Sequence, residues 1–178
     1  MDVVVAPERT GSGLPHRLGW SVAIAAGTLL AVAGFTGILS IASIESDSMS
    51  PTYCPGGRVL VWSPGASERA DRGDVVTARD PRGDGTLLKR VAAVGGERVA
   101  VRDGVLRVDG EPVREPYVDQ RTVDGTFFGP VVVPEGAVFL LGDGREQSVD
   151  SRDFGPVDRA DLTGTVIFGV GGTCPPIR

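Results

Sequence analysis

A chain of 178 residues with 41% hydrophobic and 23% charged side chains has the length and apolar content for one packed domain and one further segment. Its net charge of -5 is spread along the sequence without a basic run. That argues against nucleic acid as a partner, because neutralising phosphates takes clustered cations.

The N-terminal third is divided by one long apolar run. Residues 1–17 form a short tail, and from Leu18 to Ile44 no residue is charged. Roughly 20 apolar residues cross the hydrocarbon core as a helix, so 18–44 is expected to be a transmembrane anchor. A cleavable secretory signal is the rival, but its apolar stretch is usually about 7–15 residues. Arg9 and Arg17 precede the run, whereas Glu45 and Asp47 follow it. The positive-inside tendency places 1–17 in the cytoplasm and 45–178 on the extracytoplasmic side.

Residues 45–178 read as one mainly β domain. Short apolar or alternating runs recur at Arg58–Ser63, Asp74–Arg79, Leu87–Val94, Arg98–Arg102, Val105–Val108, Val131–Val133, Ala137–Leu141 and Thr163–Val170, separated by Gly, Pro and Asp. Asp103-Gly104 between two Val-rich runs predicts a hairpin, since a type I′ turn needs positive φ at both central residues. Asp109-Gly110 suggests a second turn. Outside the anchor, helical periodicity is confined to a weak trace near Arg159–Leu162. Phe127-Phe128 is expected at a hairpin tip or in the core. Cys54 and Cys174 both fall in the part assigned to an oxidising compartment and are expected to pair.

The cations narrow the chemistry. Of 18 basic residues all but Lys89 are arginine, and only the lysine ammonium readily loses its proton when buried. Lys89 lies in the apolar run Leu87-Leu88-Lys89-Arg90-Val91, where desolvation lowers the pKa of an amine. The one histidine is His16, so no imbedded imidazole exists beyond it for a Ser-His-Asp triad, a Cys-His pair or a zinc site. A nucleophilic hydrolase built from 45–178 must therefore take a carboxylate or Lys89 as its base.

Four segments carry a resemblance. Ser48-Met49-Ser50-Pro51-Thr52, Arg72-Gly73-Asp74-Val75-Val76, Lys89-Arg90-Val91 and Gly142–Arg152 (GDGREQSVDSR) occur in this order after the apolar run. Together they resemble the boxes of bacterial type I signal peptidases, which are serine proteases with a Ser/Lys dyad. The resemblance implies a β-rich catalytic domain in which Ser48 attacks the scissile carbonyl and Lys89 takes its proton. It further implies that Ser46 and the Ser48 N–H hold the oxyanion, that Ser148 hydrogen-bonds and orients Lys89, and that Asp150 and Arg152 form a structural ion pair near the site. No cofactor and no metal are implied. The substrates would be exported preproteins with small residues before the cleavage site, added as an extended strand, and the anchor would meet membrane lipid at the plasma membrane. The sequence departs from the pattern at Gly144, where Asn is common, and at Asp47, where a small uncharged residue is usual; the outer domain is also short. Two readings stay open beside this one: a paralogue dedicated to one substrate, and an anchored β domain that binds ligands without catalysis.

Overall fold

The computed structural model describes residues 16–35, 37–119, 123 and 125–174, and the chain forms two compact units, residues 1–36 and 37–178. Most of the expected tail, 1–17, lies outside the described residues. The first unit contains α1, His16–Phe35, whose side chains are described over 22–29 and 31–32. Among the described residues no helix is long and apolar enough to cross a membrane.

The apolar run does not continue as one helix to Ile44, as the sequence reading expected. Gly37 adopts a φ of 70°, and the chain leaves the helix there, because this left-handed conformation suits a residue without Cβ. Leu39–Ser43 then forms β1, paired antiparallel to β2 (Arg58–Trp62) from Leu39↔Trp62 to Ser43↔Arg58. Apolarity alone did not separate the two, since a short apolar stretch suits a half-buried strand as well as a helix.

The second unit is a mainly β domain. Beyond β1 and β2 its strands are β3 (Val75–Arg79), β4 (Thr86–Val94), β5 (Arg98–Arg102), β6 (Val105–Val108), β7 (Glu111–Pro112), β8 (Phe128–Val132), β9 (Ala137–Leu141), β10 (Val157–Asp158) and β11 (Leu162–Val170). Two short helices, α2 (Ala66–Arg69) and α3 (Ser151–Phe154), interrupt them. A seven-stranded sheet runs in the order β1-β2-β11-β3-β4-β9-β10, and a four-stranded sheet in the order β7-β6-β5-β8.

Hairpin chemistry fixes the smaller sheet. Asp103 and Gly104 have φ of 51° and 75°, and Asp109 and Gly110 of 53° and 88°. Both turns thus have the double positive φ that joins strands through two residues, and Arg102 pairs with Val105 and Val108 with Glu111. The Phe127-Phe128 pair is divided. The Phe128 ring lies 5.5 Å from that of Phe139, whereas Phe127 is exposed. The weak helical trace near Arg159 is a 3-10 turn over Arg159–Asp161.

Strand β9, AVFLL, is buried at every residue because both of its faces are covered. Phe139 and Leu141 join the cluster shared with Val99, Val101, Leu106 and Val108 of the small sheet. Val138 and Leu140 face the opposite way, onto Val76, Ala78 and Val91 of the large sheet and Ala66 and Ala70 at α2. A third cluster, Ile44, Val59 and Val61 with Leu88 packed against it, lies under the segment that leads from β1 to Ser48.

Candidate active site

Ser48 is carried by a single 3-10 turn, Asp47–Met49, just beyond the end of β1. The turn is anchored at several points. The Ser50 N–H donates to the Asp47 carbonyl at 2.9 Å, the Tyr53 N–H to the Met49 carbonyl at 2.9 Å, and the Gly144 N–H to the Ser48 carbonyl at 3.0 Å. Met49 is buried beneath it. The nucleophile candidate therefore rests on backbone hydrogen bonds from both its own loop and the Gly142 loop.

Lys89 reaches the same point from β4. It stands opposite Val76 of β3 and on the same side of its strand as Leu87 and Val91, since strand side chains alternate with a period of two. Lys89 is only 4% exposed and Ser48 7%. The Lys89 Nζ lies 2.8 Å from the Ser48 Oγ. Burial pulls the Lys89 pKa below that of an ordinary lysine; Asp150 opposes this, the Arg82 guanidinium reinforces it, and Asp80 and Asp143 oppose it more weakly.

The two supporting serines are placed differently from each other. The Ser46 Oγ lies 3.1 Å from the Ser48 Oγ, with either hydroxyl able to donate. Ser148 is buried at the site, but its Oγ has no hydrogen-bond partner, so the expected bond from Ser148 to Lys89 is not made. Its position is set by packing against Gly142: a Cβ at residue 142 would overlap both the Ser148 Oγ and the Ser48 carbonyl. Gly144 is equally close-fitting, as a Cβ there would lie 2.5 Å from the Asp47 carbonyl oxygen.

Ion pairs lock the surrounding loops. Arg152 Nε contacts Asp150 Oδ1 at 2.8 Å. Asp150 is fully buried, accepts from the Gly142 N–H at 3.0 Å and caps α3 with a reciprocal capping box through Asp153.

A second pair went unsingled in the sequence. Arg90 clamps Asp143 with two hydrogen bonds, Nε to Oδ1 at 2.9 Å and Nη2 to Oδ2 at 2.7 Å, and its Nη1 donates to the Gly73 carbonyl at 2.7 Å. The Thr52 hydroxyl donates to Asp143 at 2.5 Å, and the Tyr117 ring covers the Arg90 guanidinium at 3.8 Å. One Arg–Asp fork thus connects all four sequence boxes. Its signal was the Arg beside Lys89; nothing in the Pro-rich stretch around Tyr117 announced the stacking ring. Glu115 forms a buried pair with Arg145.

A cleft of about 400 Å³ opens beside the Ser48–Lys89 pair. One wall is the segment 42–46 and the other is 86–89, with Met49, Val59 and Thr77 also lining it. Cys54 and Cys174 are joined in a disulfide with their Cα atoms 4.9 Å apart, which ties the end of the chain past β11 to the loop that follows Ser48. Among the described residues no group of three or more His, Cys, Asp or Glu is placed to hold a metal ion.

Comparison with known proteins gives the family of this mainly β domain with its buried serine–lysine contact. The profile of the signal peptidase family (signal peptidase, peptidase S26) matches residues 17–170, and the chain belongs to this family. Signal peptidase IB of Staphylococcus aureus (strain COL) is 33% identical over 165 residues, covering 83% of this chain and 85% of that protein. Signal peptidase I of Bacillus licheniformis is 33% identical over 135 residues, covering 70% and 73%. The Mycobacterium tuberculosis H37Rv signal peptidase I is 44% identical over 98 residues, a match to 48% of this chain and 33% of that longer protein. A solved signal peptidase I from Enterococcus faecalis V583 superposes with a TM-score of 0.50 at 32% identity, covering 55% of this chain and 97% of that one.

Proposed function

We propose that this chain is a membrane-anchored signal peptidase that cleaves exported preproteins with Ser48 as nucleophile and Lys89 as general base. Membership of the signal peptidase family makes it a serine endopeptidase acting on signal peptides. The observation that carries the choice of residues is the 2.8 Å contact between Lys89 Nζ and Ser48 Oγ in a buried setting.

The chemistry follows from that contact. A neutral Lys89 amine accepts the Ser48 proton as the oxygen attacks the scissile carbonyl, forming a tetrahedral adduct. The resulting ammonium gives the proton to the leaving nitrogen as the C–N bond breaks and the acyl-Ser48 ester forms. The neutral Lys89 amine then takes a proton from the water that attacks the ester and releases Ser48. Removal from water lowers the pKa of Lys89, which favours the neutral form that the first step requires. Ser46, with its hydroxyl 3.1 Å from the Ser48 Oγ, is close enough to donate to the oxyanion alongside the Ser48 N–H. Ser148 fills the space beside Gly142.

Substrate binding has a physical basis in β4. Residues 86–89 pair with β3 on one side, but β9 pairs only from Arg90 onward. The free edge over 86–89 faces the cleft and can accept an extended peptide as a further strand. Ile44, Val59 and Leu88, packed together, give the cleft an apolar floor for the small side chains of a small-x-small cleavage pattern. Anchoring rests on the uncharged run 18–44 and on the membrane association of the family. The catalytic unit then stands on the extracytoplasmic side, where a disulfide persists.

The test is cleavage of a preprotein carrying an Ala-x-Ala site by the wild type, Ser48→Ala and Lys89→Arg in detergent. Cleavage after the second Ala by the wild type alone is expected, since Arg keeps the charge but cannot give up its proton. Activity surviving in either variant would remove that residue from the mechanism.

A further inference from the structure

The cleft has an uneven charge. Of the residues that line it, only Lys89 and Glu45 carry charge. Lys89 is buried and bonded to Ser48. Glu45 is exposed, and among the described residues its carboxylate enters no ion pair or hydrogen bond. The rest of the lining is apolar or hydroxyl-bearing.

Its placement follows from strand periodicity. Along the segment from β1 to Ser46, Ala42 and Ile44 turn inward onto Val59 and Val61, whereas Ser43 and Glu45 stay exposed. Glu45 therefore stands at the mouth of the cleft, not on its floor. An extended peptide lying on the free edge of β4 alternates its side chains in the same way. If two small residues of the substrate face the floor, the residue between them faces the mouth, where the unpaired carboxylate lies.

Resting on the peptidase reading given above, we infer that Glu45 is a specificity-determining residue that selects a basic side chain, Lys or Arg, between the two small residues of the cleavage site. A carboxylate at an open cleft mouth attracts a cation and repels an anion. The discrimination is modest because exposed pairs are screened by water and salt.

The experiment compares kcat/KM for three versions of one preprotein, with Ala-Lys-Ala, Ala-Gln-Ala and Ala-Glu-Ala before the cleaved bond. Each is assayed at low salt and at roughly 0.5 M salt with the wild type, Glu45→Gln and Glu45→Lys. The readout is the ratio among substrates within each enzyme, which is independent of any change in absolute rate. The wild type is expected to prefer Lys over Gln by about fivefold and over Glu by about tenfold at low salt. That span should narrow at high salt, collapse in Glu45→Gln and reverse in Glu45→Lys. Equal kcat/KM for the three substrates in the wild type, or the same preference retained in Glu45→Lys, overturns the inference while leaving the peptidase reading intact. Failure of the wild type to cleave any of the three overturns both.

Discussion

At the residue scale, the account turns on one lysine kept in an arginine-rich chain. Lys89 is held out of water and its pKa is lowered as a result, so its charged form opposes folding. The sign of the effect is fixed by linkage. A base that binds its proton more weakly when folded destabilises the protein most below its folded pKa, and the penalty vanishes as pH rises toward the unfolded value near 10.5. Lys89→Met, which keeps the bulk and removes the charge, is therefore expected to abolish cleavage while raising stability by about 1 kcal/mol at neutral pH. Chemical denaturation at pH 7 and pH 10 would measure it: a gain that shrinks at the higher pH fits, and a loss of stability at pH 7 contradicts the buried-charge argument.

At the element scale, the nucleophile turn and the Gly142 loop are fitted to each other through missing side chains. A Cβ at Gly144 would lie 2.5 Å from the Asp47 carbonyl oxygen, next to the residue that carries the nucleophile. Gly144→Asn is expected to displace the Ser48 turn and lower kcat by about tenfold or more with a smaller effect on KM, since small misplacements of a reacting atom are costly. Steady-state kinetics separating kcat from KM checks this; an unchanged kcat would show that the loop yields without moving Ser48. The sequence had marked Gly144 only as a departure from a familiar pattern, because close backbone approach leaves no trace in composition. The strands with a turn of defined chemistry, such as β5 and β6 around Asp103-Gly104, were legible to the residue. Strand β1 was not, because its five residues continue an apolar run that reads as helix until β2 is seen to pair with it. Lys89 stood out because elimination left it or a carboxylate as the base, and Ser48 only through the resemblance of its segment, whereas the Tyr117 ring over Arg90 depends on tertiary packing alone.

At the scale of the whole molecule, the two sheets meet across β9, and the site lies where the β1 exit, β4 and the Gly142 loop converge. The chain end is held to that region by the Cys54–Cys174 disulfide, which closes 120 residues of sequence. A crosslink of that span stabilises by about 4–5 kcal/mol in the chain-entropy model, and often by less. The Cys54→Ser, Cys174→Ser double variant is accordingly expected to unfold at lower denaturant concentration than the oxidised wild type and at about the same concentration as the reduced one. Coincident unfolding of the oxidised and reduced wild type would show that the bridge contributes nothing to the fold.

The central claim is that Lys89 is the base, and the composition makes it directly measurable. Because Lys89 is the chain's one lysine, protein labelled with ¹³C-lysine gives a single side-chain ε-carbon resonance whose titration reports this amine alone. The account predicts a pKa below the ordinary lysine value of 10.5, matching the pKa through which kcat/KM of the wild type rises with pH. A resonance that titrates at or above 10.5, or at a pH unrelated to the rise in activity, would contradict the assignment of Lys89 as general base.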